Sequence, residues 1–175
     1  MSVHIFADES KARGFLLAAA VVAQRDLGPL RSEVGSLRLP GQRRLHFAKE
    51  SDRRRKEIMR RFIALDVRAL IYDATGHRNG KMARDIVIAQ LTEDAVTMGA
   101  GRLVLELDDS VARSDRLVIS ERLVKIGGLD TLRYEHCRAH QEPLLAIPDA
   151  VAWCWARGGP WRRAATSLVT NVIAL

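Results

Sequence analysis

The amino-acid sequence predicts an α/β fold in which a central mixed sheet of five strands is flanked by helices. Two strand-like segments, residues 3–8 and 14–24, open the chain, and the short polar stretch between them predicts an antiparallel pair. Helical and strand-like segments then alternate, in the overall order β-β-α-β-α-β-α-β-α. Of the 175 residues, 47% are hydrophobic, so the chain can bury the core of one domain spanning residues 1–175.

The second strand is the segment that most resembles a targeting signal. Residues 15–23 read FLLAAAVVA, nine apolar residues behind two basic ones. This run is too short to span a bilayer. Asp8 and Glu9 also precede it, where a secretion signal would carry only positive charge. We therefore predict a buried strand in a cytoplasmic protein with no membrane partner.

The helices are predicted from apolar residues at helical spacing. Ile58, Phe62 and Leu65 repeat at i, i+4 and i+7. They predict a helix at 49–64. Similar spacing predicts three later helices, at 82–98, at 114–126 and within 143–157.

Strand formers and helix-ending residues predict the remaining elements. Short apolar runs predict strands at 67–73, 102–108 and 131–137. Ser114 is suited to cap the helix that follows it, and Gly127 to end that helix. The loop at 26–42 holds one short helix near 29–36, and residues 161–175 form an amphipathic tail.

The charge of the chain permits a polyanionic partner. Its net charge is +7 and its isoelectric point is about 10.1. A basic run on the predicted helix 49–64 could be a solvated face or a phosphate-binding face. The candidate nucleic-acid-binding residues are Arg53, Arg54, Lys56 and Arg60. The run contains no interleaved aromatic residue, so stacking on bases is not indicated.

Several common function classes are excluded by missing motifs. The sequence has no P-loop, GxGxxG, GxSxG or HExxH. Its two cysteines, Cys137 and Cys154, form no CxxC and have no histidines at zinc spacing, so a structural zinc site is not predicted. We interpret both as reduced cysteines of a cytoplasmic protein.

Acidic residues end two of the predicted strands. Asp8 closes the first strand on the same face as His4 and Phe6, at the strand end where α/β sheets place ligand chemistry. Alternatively, Asp8 caps the turn after it. Glu106 and Asp108 share one face of a later strand, roughly 7 Å apart. A divalent cation would offset their repulsion; the alternative is a solvated acidic edge or a helix cap.

A third acid, Asp149, lies in the apolar helix within 143–157. It could bind a ligand or simply interact favourably with the helix dipole. His46 precedes the basic helix, and each histidine of the chain is more often an ordinary surface or packed residue than a ligand. Taken alone, these positions leave both interpretations open.

Three features together resemble a known family. They are the Asp8-Glu9-Ser10 motif after the first strand, the hydrophobic strand directly behind it, and the helix segment Pro-Asp-Ala-Val-Ala-Trp at 148–153. The chain resembles the bacterial domain of unknown function numbered 3800, which is considered similar to the ribonuclease H fold. The resemblance spans nearly the whole chain. It departs from the family pattern at Lys11, where glycine is common, and at Pro148, where alanine is usual.

This resemblance implies a nuclease that depends on Mg²⁺ or Mn²⁺. It implies Asp8 as the central metal ligand and Asp149 as the acid from the last helix. The second acid would be Glu106 or Asp108, and Asp73 is the alternative candidate for this role. Glu9 and His46 are auxiliary candidates.

Two functions follow from the sequence. The first is hydrolysis of phosphodiester bonds in nucleic acid, DNA or RNA, by a carboxylate cluster with bound metal. The second is a non-catalytic module of the same ribonuclease H-like fold that binds nucleic acid or a protein. The apolar tail at 167–175 could pack on the core or form a homodimer.

Overall fold

The computed structural model describes residues 2–175 and contains one mixed sheet with helices on both faces. The strands are β1 Val3–Ser10, β2 Phe15–Ala23, β3 Arg68–Ala74, β4 Ala100–Glu106, β5 Arg133–Cys137 and β6 Val169–Ala174. The helices are α1 Leu27–Ser36, α2 Asp52–Ala64, α3 Gly80–Thr97, α4 Ala112–Ile126, α5 Ala146–Arg157 and α6 Gly159–Ala165. A short 3₁₀ turn, Phe47–Lys49, precedes α2.

The strands are ordered β5-β4-β1-β2-β3-β6 across the sheet. β1, β2 and β3 form an antiparallel meander, as the short turn between the first two strands predicts. β4 runs parallel to β1, and β5 runs parallel to β4. This arrangement places β1 in the interior of the sheet, with a parallel neighbour whose carboxyl end lies beside its own.

Alternation along the strands divides the core into two layers. Ile5 and Phe6 are both fully buried, but they belong to different clusters because neighbouring side chains of a strand point to opposite faces. Phe6 packs with residues of α1, α2 and α5. Ile5 packs with residues of α3 and α4.

Helix α5 lies directly on the sheet, and its composition explains why. It is apolar on nearly every side, and most of its residues are buried. Ala18 and Ala20 of β2 belong to the same buried cluster as Ala150 and Val151 of α5. Small side chains at a contact allow a helix to approach a sheet closely. The first turn of α5 is thereby held next to the end of β1.

The sheet has six strands, so the prediction of five was wrong. The additional strand comes from the segment predicted only as an amphipathic tail, which forms α6 and β6. β6 pairs with β3 in parallel, with Leu70 opposite Asn171 and Tyr72 opposite Ile173. The tail therefore packs within its own chain, and nothing in the structure supports the predicted homodimer through it.

One cap also differs from the prediction. Helix α4 begins at Ala112, two residues before Ser114, so Ser114 lies inside its first turn. The main-chain oxygen of Asp108 accepts hydrogen bonds from the amides of Val111 and Ala112, and these bonds start the helix early. The end of α4 is as predicted, because Gly127 has the left-handed conformation with φ of 67°.

The remaining elements lie within a few residues of their predicted positions. No helix within residues 2–175 is long and apolar enough to cross a membrane.

Candidate active site

Two carboxylates meet where β1 and β4 end. Ala7 of β1 pairs with Leu105 of β4, so the next residues, Asp8 and Glu106, are neighbours on one face of the sheet. Glu106 is close enough to Asp8 to raise the pKa of its carboxyl group. That face is the one covered by α5, because Phe6 and Val104, two residues earlier on each strand, belong to the α5 cluster. The parallel register of two adjacent strands thus brings together acids that are far apart in sequence.

The third carboxylate reaches the same place from α5. Asp149 lies in the first turn of that helix, and its charge acts on Asp8. Its Oδ2 accepts a hydrogen bond of 3.0 Å from the main-chain amide of Phe47. His46 Nδ1 lies 3.4 Å from the same oxygen. The segment ahead of α2 therefore fixes the orientation of Asp149.

These groups line one cavity with a volume of about 300 Å³. Its lining consists of Asp8, Glu9, Lys11, His46, Glu106, Leu107, Asp108 and Asp149. Six of the eleven site residues that the sequence predicted therefore line this cavity. The exceptions are Asp73 and the basic residues of α2.

The electrostatics of the cavity centre on Asp8. Burial raises the pKa of Asp8 well above its ordinary value, and the neighbouring Glu106 and Asp149 raise it further. The amide of Glu9, which donates a 2.8 Å hydrogen bond to Oδ1, lowers the pKa but does not outweigh those effects. Within residues 2–175 no basic side chain forms an ion pair with Asp8. The environment of the Asp8 carboxyl group therefore favours binding of a proton or of an added cation.

Basic side chains do neutralise the acids around Asp8. Arg44 Nη1 lies 2.5 Å from Glu106 Oε1. Lys11 Nζ lies 3.3 Å from Asp108 Oδ2 and 3.0 Å from Glu9 Oε1. Among the carboxyl groups that line the cavity, these contacts leave Asp8 with the least compensation from positive charge.

The donor chemistry of the cavity fits a hard divalent cation, because carboxylate oxygens are the ligands that Mg²⁺ prefers and Mn²⁺ accepts. The side-chain positions are not yet those of a formed metal centre. Across residues 2–175 no three His, Cys, Asp or Glu side chains are placed to hold one ion. Asp8 and Glu106 are in contact, but Asp149 directs Oδ2 at the Phe47 amide and Glu106 is paired with Arg44. A bound cation would compete with both contacts.

Asp108 does not share a strand face with Glu106 as the sequence predicted. β4 ends at Glu106, and Asp108 lies in the turn that starts α4. Its Oδ1 accepts hydrogen bonds from the hydroxyl and the amide of Ser110, and these, with Lys11, lower the pKa of Asp108 to about 2. The side chain still lines the cavity, but its hydrogen bonds are those of a turn.

Glu9 and Asp73 lie away from the centre of the carboxylate cluster. Glu9 points toward the opposite face of the sheet from Asp8, where its Oε2 is 2.8 Å from Arg84 Nη1. Asp73 lies near the end of β3, two strands from β1, and accepts hydrogen bonds from the amide and hydroxyl of Thr75. Between the alternatives for the second acid, the structure places Glu106 next to Asp8 and Asp73 farther away.

The basic face of α2 is only partly available to a ligand. Arg53, Lys56 and Arg60 are exposed. Arg54 is mostly buried, and its Nη2 donates a 2.6 Å hydrogen bond to the main-chain oxygen of Leu37. Because it also pairs with Glu57, Arg54 serves the fold rather than a free phosphate-binding surface.

Comparison with known proteins relates this architecture to one solved structure in particular. No protein-family model matches the chain, and neither does any curated protein sequence. The fold is similar to that of a chain in the structure of the PCNA:RNase HII complex from Archaeoglobus fulgidus. The TM-score is 0.54 and the identity is 20%, over 87% of this chain and 70% of that chain. At this identity the likeness concerns the fold.

Two residues of the site were not predicted to belong to it. The sequence singles out Lys11 only as a departure from the family pattern, and Arg44 is one of two arginines just upstream of the basic run. Their sequence positions contain no signal that Arg44 pairs with Glu106, 62 residues later, or Lys11 with Asp108, 97 residues later. Only the folded chain makes these pairs.

Proposed function

We propose that this chain is a divalent-metal-dependent nuclease that hydrolyses phosphodiester bonds of nucleic acid. One observation carries the proposal. Asp8, Glu106 and Asp149 come from three distant parts of the chain and converge at one cavity, where the half-buried Asp8 has a raised pKa. Carboxylates gathered against their mutual repulsion are typical of functional sites.

We assign the metal, Mg²⁺ or Mn²⁺, to the carboxylates of Asp8, Glu106 and Asp149, with Asp108 at the rim. A divalent ion at such a site supplies charge stabilisation at the scissile phosphate and activates water. Asp8 would be the central ligand because its raised pKa and its lack of a cationic partner favour an added cation. Asp149 would be a further ligand, and the hydrogen bond from the amide of Phe47 fixes the orientation of its carboxylate.

The other residues of the cavity position the substrate and move protons. Lys11 lies at the cavity and is 56% exposed, so its ammonium can contact a phosphate of the substrate. His46, 3.4 Å from Asp149, can exchange a proton with the reacting groups while Asp149 orients its ring. Arg44 holds the side chain of Glu106 in place through their ion pair until a cation competes for it.

The comparison and the sequence resemblance support this assignment at the level of fold. A chain from a complex of PCNA with RNase HII shares the architecture. In the proposed reading, this chain is a ribonuclease H-like domain of the bacterial family of unknown function 3800, and it acts in the cytoplasm. The exposed Arg53, Lys56 and Arg60 would hold the phosphate backbone without reading its sequence.

A second function is favoured by one observation. Glu106 is already neutralised by Arg44, and no three ligands within residues 2–175 are placed to hold an ion. In a non-catalytic module of this fold that binds nucleic acid or a protein, the ion pair between Arg44 and Glu106 would remain in place. It would need no metal.

A cleavage assay separates the two functions. Wild-type protein is incubated with end-labelled single- and double-stranded DNA and RNA in Mg²⁺, Mn²⁺ or EDTA. We expect cleavage that requires metal and falls at least about a hundredfold in Asp8→Asn and Asp149→Asn, because each variant removes one ligand charge. Comparing the cleavage rates of Asp73→Asn and Glu106→Gln shows which of these two residues is the second acid.

The matched control is Asp130→Asn, the same chemical change at an exposed position outside the cavity. It should cleave like the wild type. If folded wild-type protein cleaves nothing under any condition, or if Asp8→Asn cleaves normally, the nuclease proposal is wrong and the binding module takes its place.

A further inference from the structure

A second surface beside the carboxylate cavity has no role in the chemistry above. It is a groove between α2 and α6 with a volume of about 440 Å³. Its walls include Lys56, Met59, Arg60 and Ile63 from α2, and Trp161 from α6. We call it the α2–α6 groove. It combines exposed positive charge from α2 with the large aromatic ring of Trp161, whereas the one aromatic residue of α2, Phe62, is buried in the core.

Trp161 is held in position by other aromatic side chains. Its ring meets that of Trp153 edge-on with centroids 5.4 Å apart, and that of Phe47 at 6.4 Å. Arg55 lies over Trp153 at 4.5 Å. These contacts fix the indole from one side while it lines the groove and stays half-buried. A fixed, partly exposed indole is a platform on which a flat group can stack.

The charge at the groove is positive. Lys56 and Arg60 are exposed and one helical turn apart, so their side chains lie on the same face of α2. Asp52 also lines the groove, but Arg55 neutralises it at 2.6 Å. The groove therefore complements a ligand with negative charges beside flat rings.

The groove and the carboxylate cavity lie on either side of one short segment. His46 lines the cavity, and the amide of Phe47 holds Asp149. The ring of Phe47 in turn packs against Trp161 of the groove. Residues 46 and 47 therefore connect the lining of the cavity with that of the groove.

We infer that the α2–α6 groove binds single-stranded nucleic acid, with a base stacked on Trp161 and phosphates near Lys56 and Arg60. Stacking on an aromatic side chain requires the face of a base to be free, which a single strand offers and an intact duplex does not. The inference rests on the proposed function and adds to it the strandedness of the substrate.

A binding assay tests the groove without relying on cleavage. Fluorescein-labelled 12-nucleotide DNA and RNA, each single-stranded and as a duplex, are titrated with Asp8→Asn protein, and anisotropy is recorded at several salt concentrations. The double variant Lys56→Glu/Arg60→Glu is expected to weaken single-strand binding at least about tenfold and to reduce the salt slope by about 2. Trp161→Leu is expected to weaken it about tenfold with the salt slope unchanged.

Two controls make the result specific to the groove. Arg116→Glu/Lys125→Glu carries the same charge change on exposed positions of α4, across the sheet, and should bind nearly as tightly as the parent. Trp161→Tyr keeps an aromatic ring and should retain most of the affinity. Thermal melting of every variant shows whether it is folded, and the charge variants lie on the surface where folding is unaffected.

The inference is overturned if the α4 control loses as much affinity as the groove variant, because binding would then follow net charge alone. It is also overturned if Trp161→Leu binds normally, if the duplex binds as tightly as the single strand, or if no oligonucleotide binds. Groove-dependent binding by a protein that cleaves nothing would reject the nuclease proposal and keep the groove. Metal-dependent cleavage without groove-dependent binding would keep the nuclease proposal and reject the groove as a binding site.

Discussion

The Asp8 carboxyl group lies beside Glu106 and Asp149, and partial loss of its hydration together with these two carboxylates raises its pKa. The sign of the effect on stability follows from proton linkage. Between its ordinary pKa of 3.8 and its raised pKa in the folded chain, the folded protein binds more protons than the unfolded chain. The free energy of unfolding therefore falls as the pH rises through that window, and at high pH the charged Asp8 destabilises the fold.

This sign gives a prediction for Asp8→Asn. The amide removes the charge but keeps an oxygen that can accept the hydrogen bond from Glu9. At pH 8 in EDTA we expect the variant to be more stable than the wild type by about 1 kcal/mol, or ~2–4 °C in Tm. Scanning calorimetry at pH 4 and pH 8 measures it, and the gain should be larger at pH 8.

Asp130→Asn serves as the matched control and should leave Tm unchanged, because its side chain is exposed. A lower Tm for Asp8→Asn at pH 8 would show that the charged carboxyl stabilises the fold, contrary to this account.

At the scale of elements, a buried ionic network joins α3, α4 and β5 behind the cavity. Arg84 Nε and Nη2 donate hydrogen bonds of 2.7 and 2.8 Å to the two oxygens of Asp115. His136 Nε2 lies 3.0 Å from Asp115, and Arg84 also pairs with Glu9 at the end of β1. Burial alone would raise the pKa of Asp115, but the hydrogen bonds from Arg84 and His136 outweigh it and lower that pKa.

Removing the central acid of this network should be costly. Asp115→Ala leaves the buried Arg84 guanidinium without its main partner, so we expect the free energy of unfolding to fall by about 3–5 kcal/mol. Urea denaturation at pH 7 measures the loss. Asp85→Ala breaks a pair with Lys81 on the surface of α3 and should cost less than about 1 kcal/mol. Equal losses for the two variants would contradict the network's role.

Local sequence signals account for much of this fold, and tertiary contacts account for the rest. The opening hairpin is predictable because two apolar runs flank a polar turn, and α2 because Ile58 and Phe62 repeat at helical spacing. β6 was missed because its partner, β3, lies about a hundred residues earlier and nothing in the tail specifies it. Asp108 was assigned to a strand because the alternation continues past Glu106, whereas its hydrogen bonds with Ser110 make a turn.

The candidate site shows the same division. Strand ends predict where Asp8 and Glu106 lie, but only the parallel register of β1 and β4 makes them neighbours. The basic run at 53–61 contains no aromatic residue, and Phe62, which follows it in α2, is buried in the core. The fold supplies Trp161 from a helix about a hundred residues later, and this juxtaposition is invisible along the sequence.

At the scale of the whole molecule, the carboxylates of the cavity form an acidic site on a chain whose net charge is positive. The chain carries a net charge of +7, and basic side chains such as Lys11 and Arg44 lie next to the acids of the cavity. A polyanion would be attracted to such a surface. Its phosphates would be repelled by the carboxylates unless a cation were bound between them. We therefore propose that the cavity binds a divalent ion through Asp8.

Titration calorimetry with Mn²⁺, on wild type and on Asp8→Asn, tests this claim most directly. Because the pKa of Asp8 is raised, a cation at the cavity should displace a proton, and the heat should depend on the ionisation enthalpy of the buffer. We predict one Mn²⁺ site in the wild type, proton release that increases as the pH is lowered toward the raised pKa, and affinity at least about tenfold weaker in Asp8→Asn. Mn²⁺ binding that is absent from the folded wild type, or equally tight in the variant, would contradict the account.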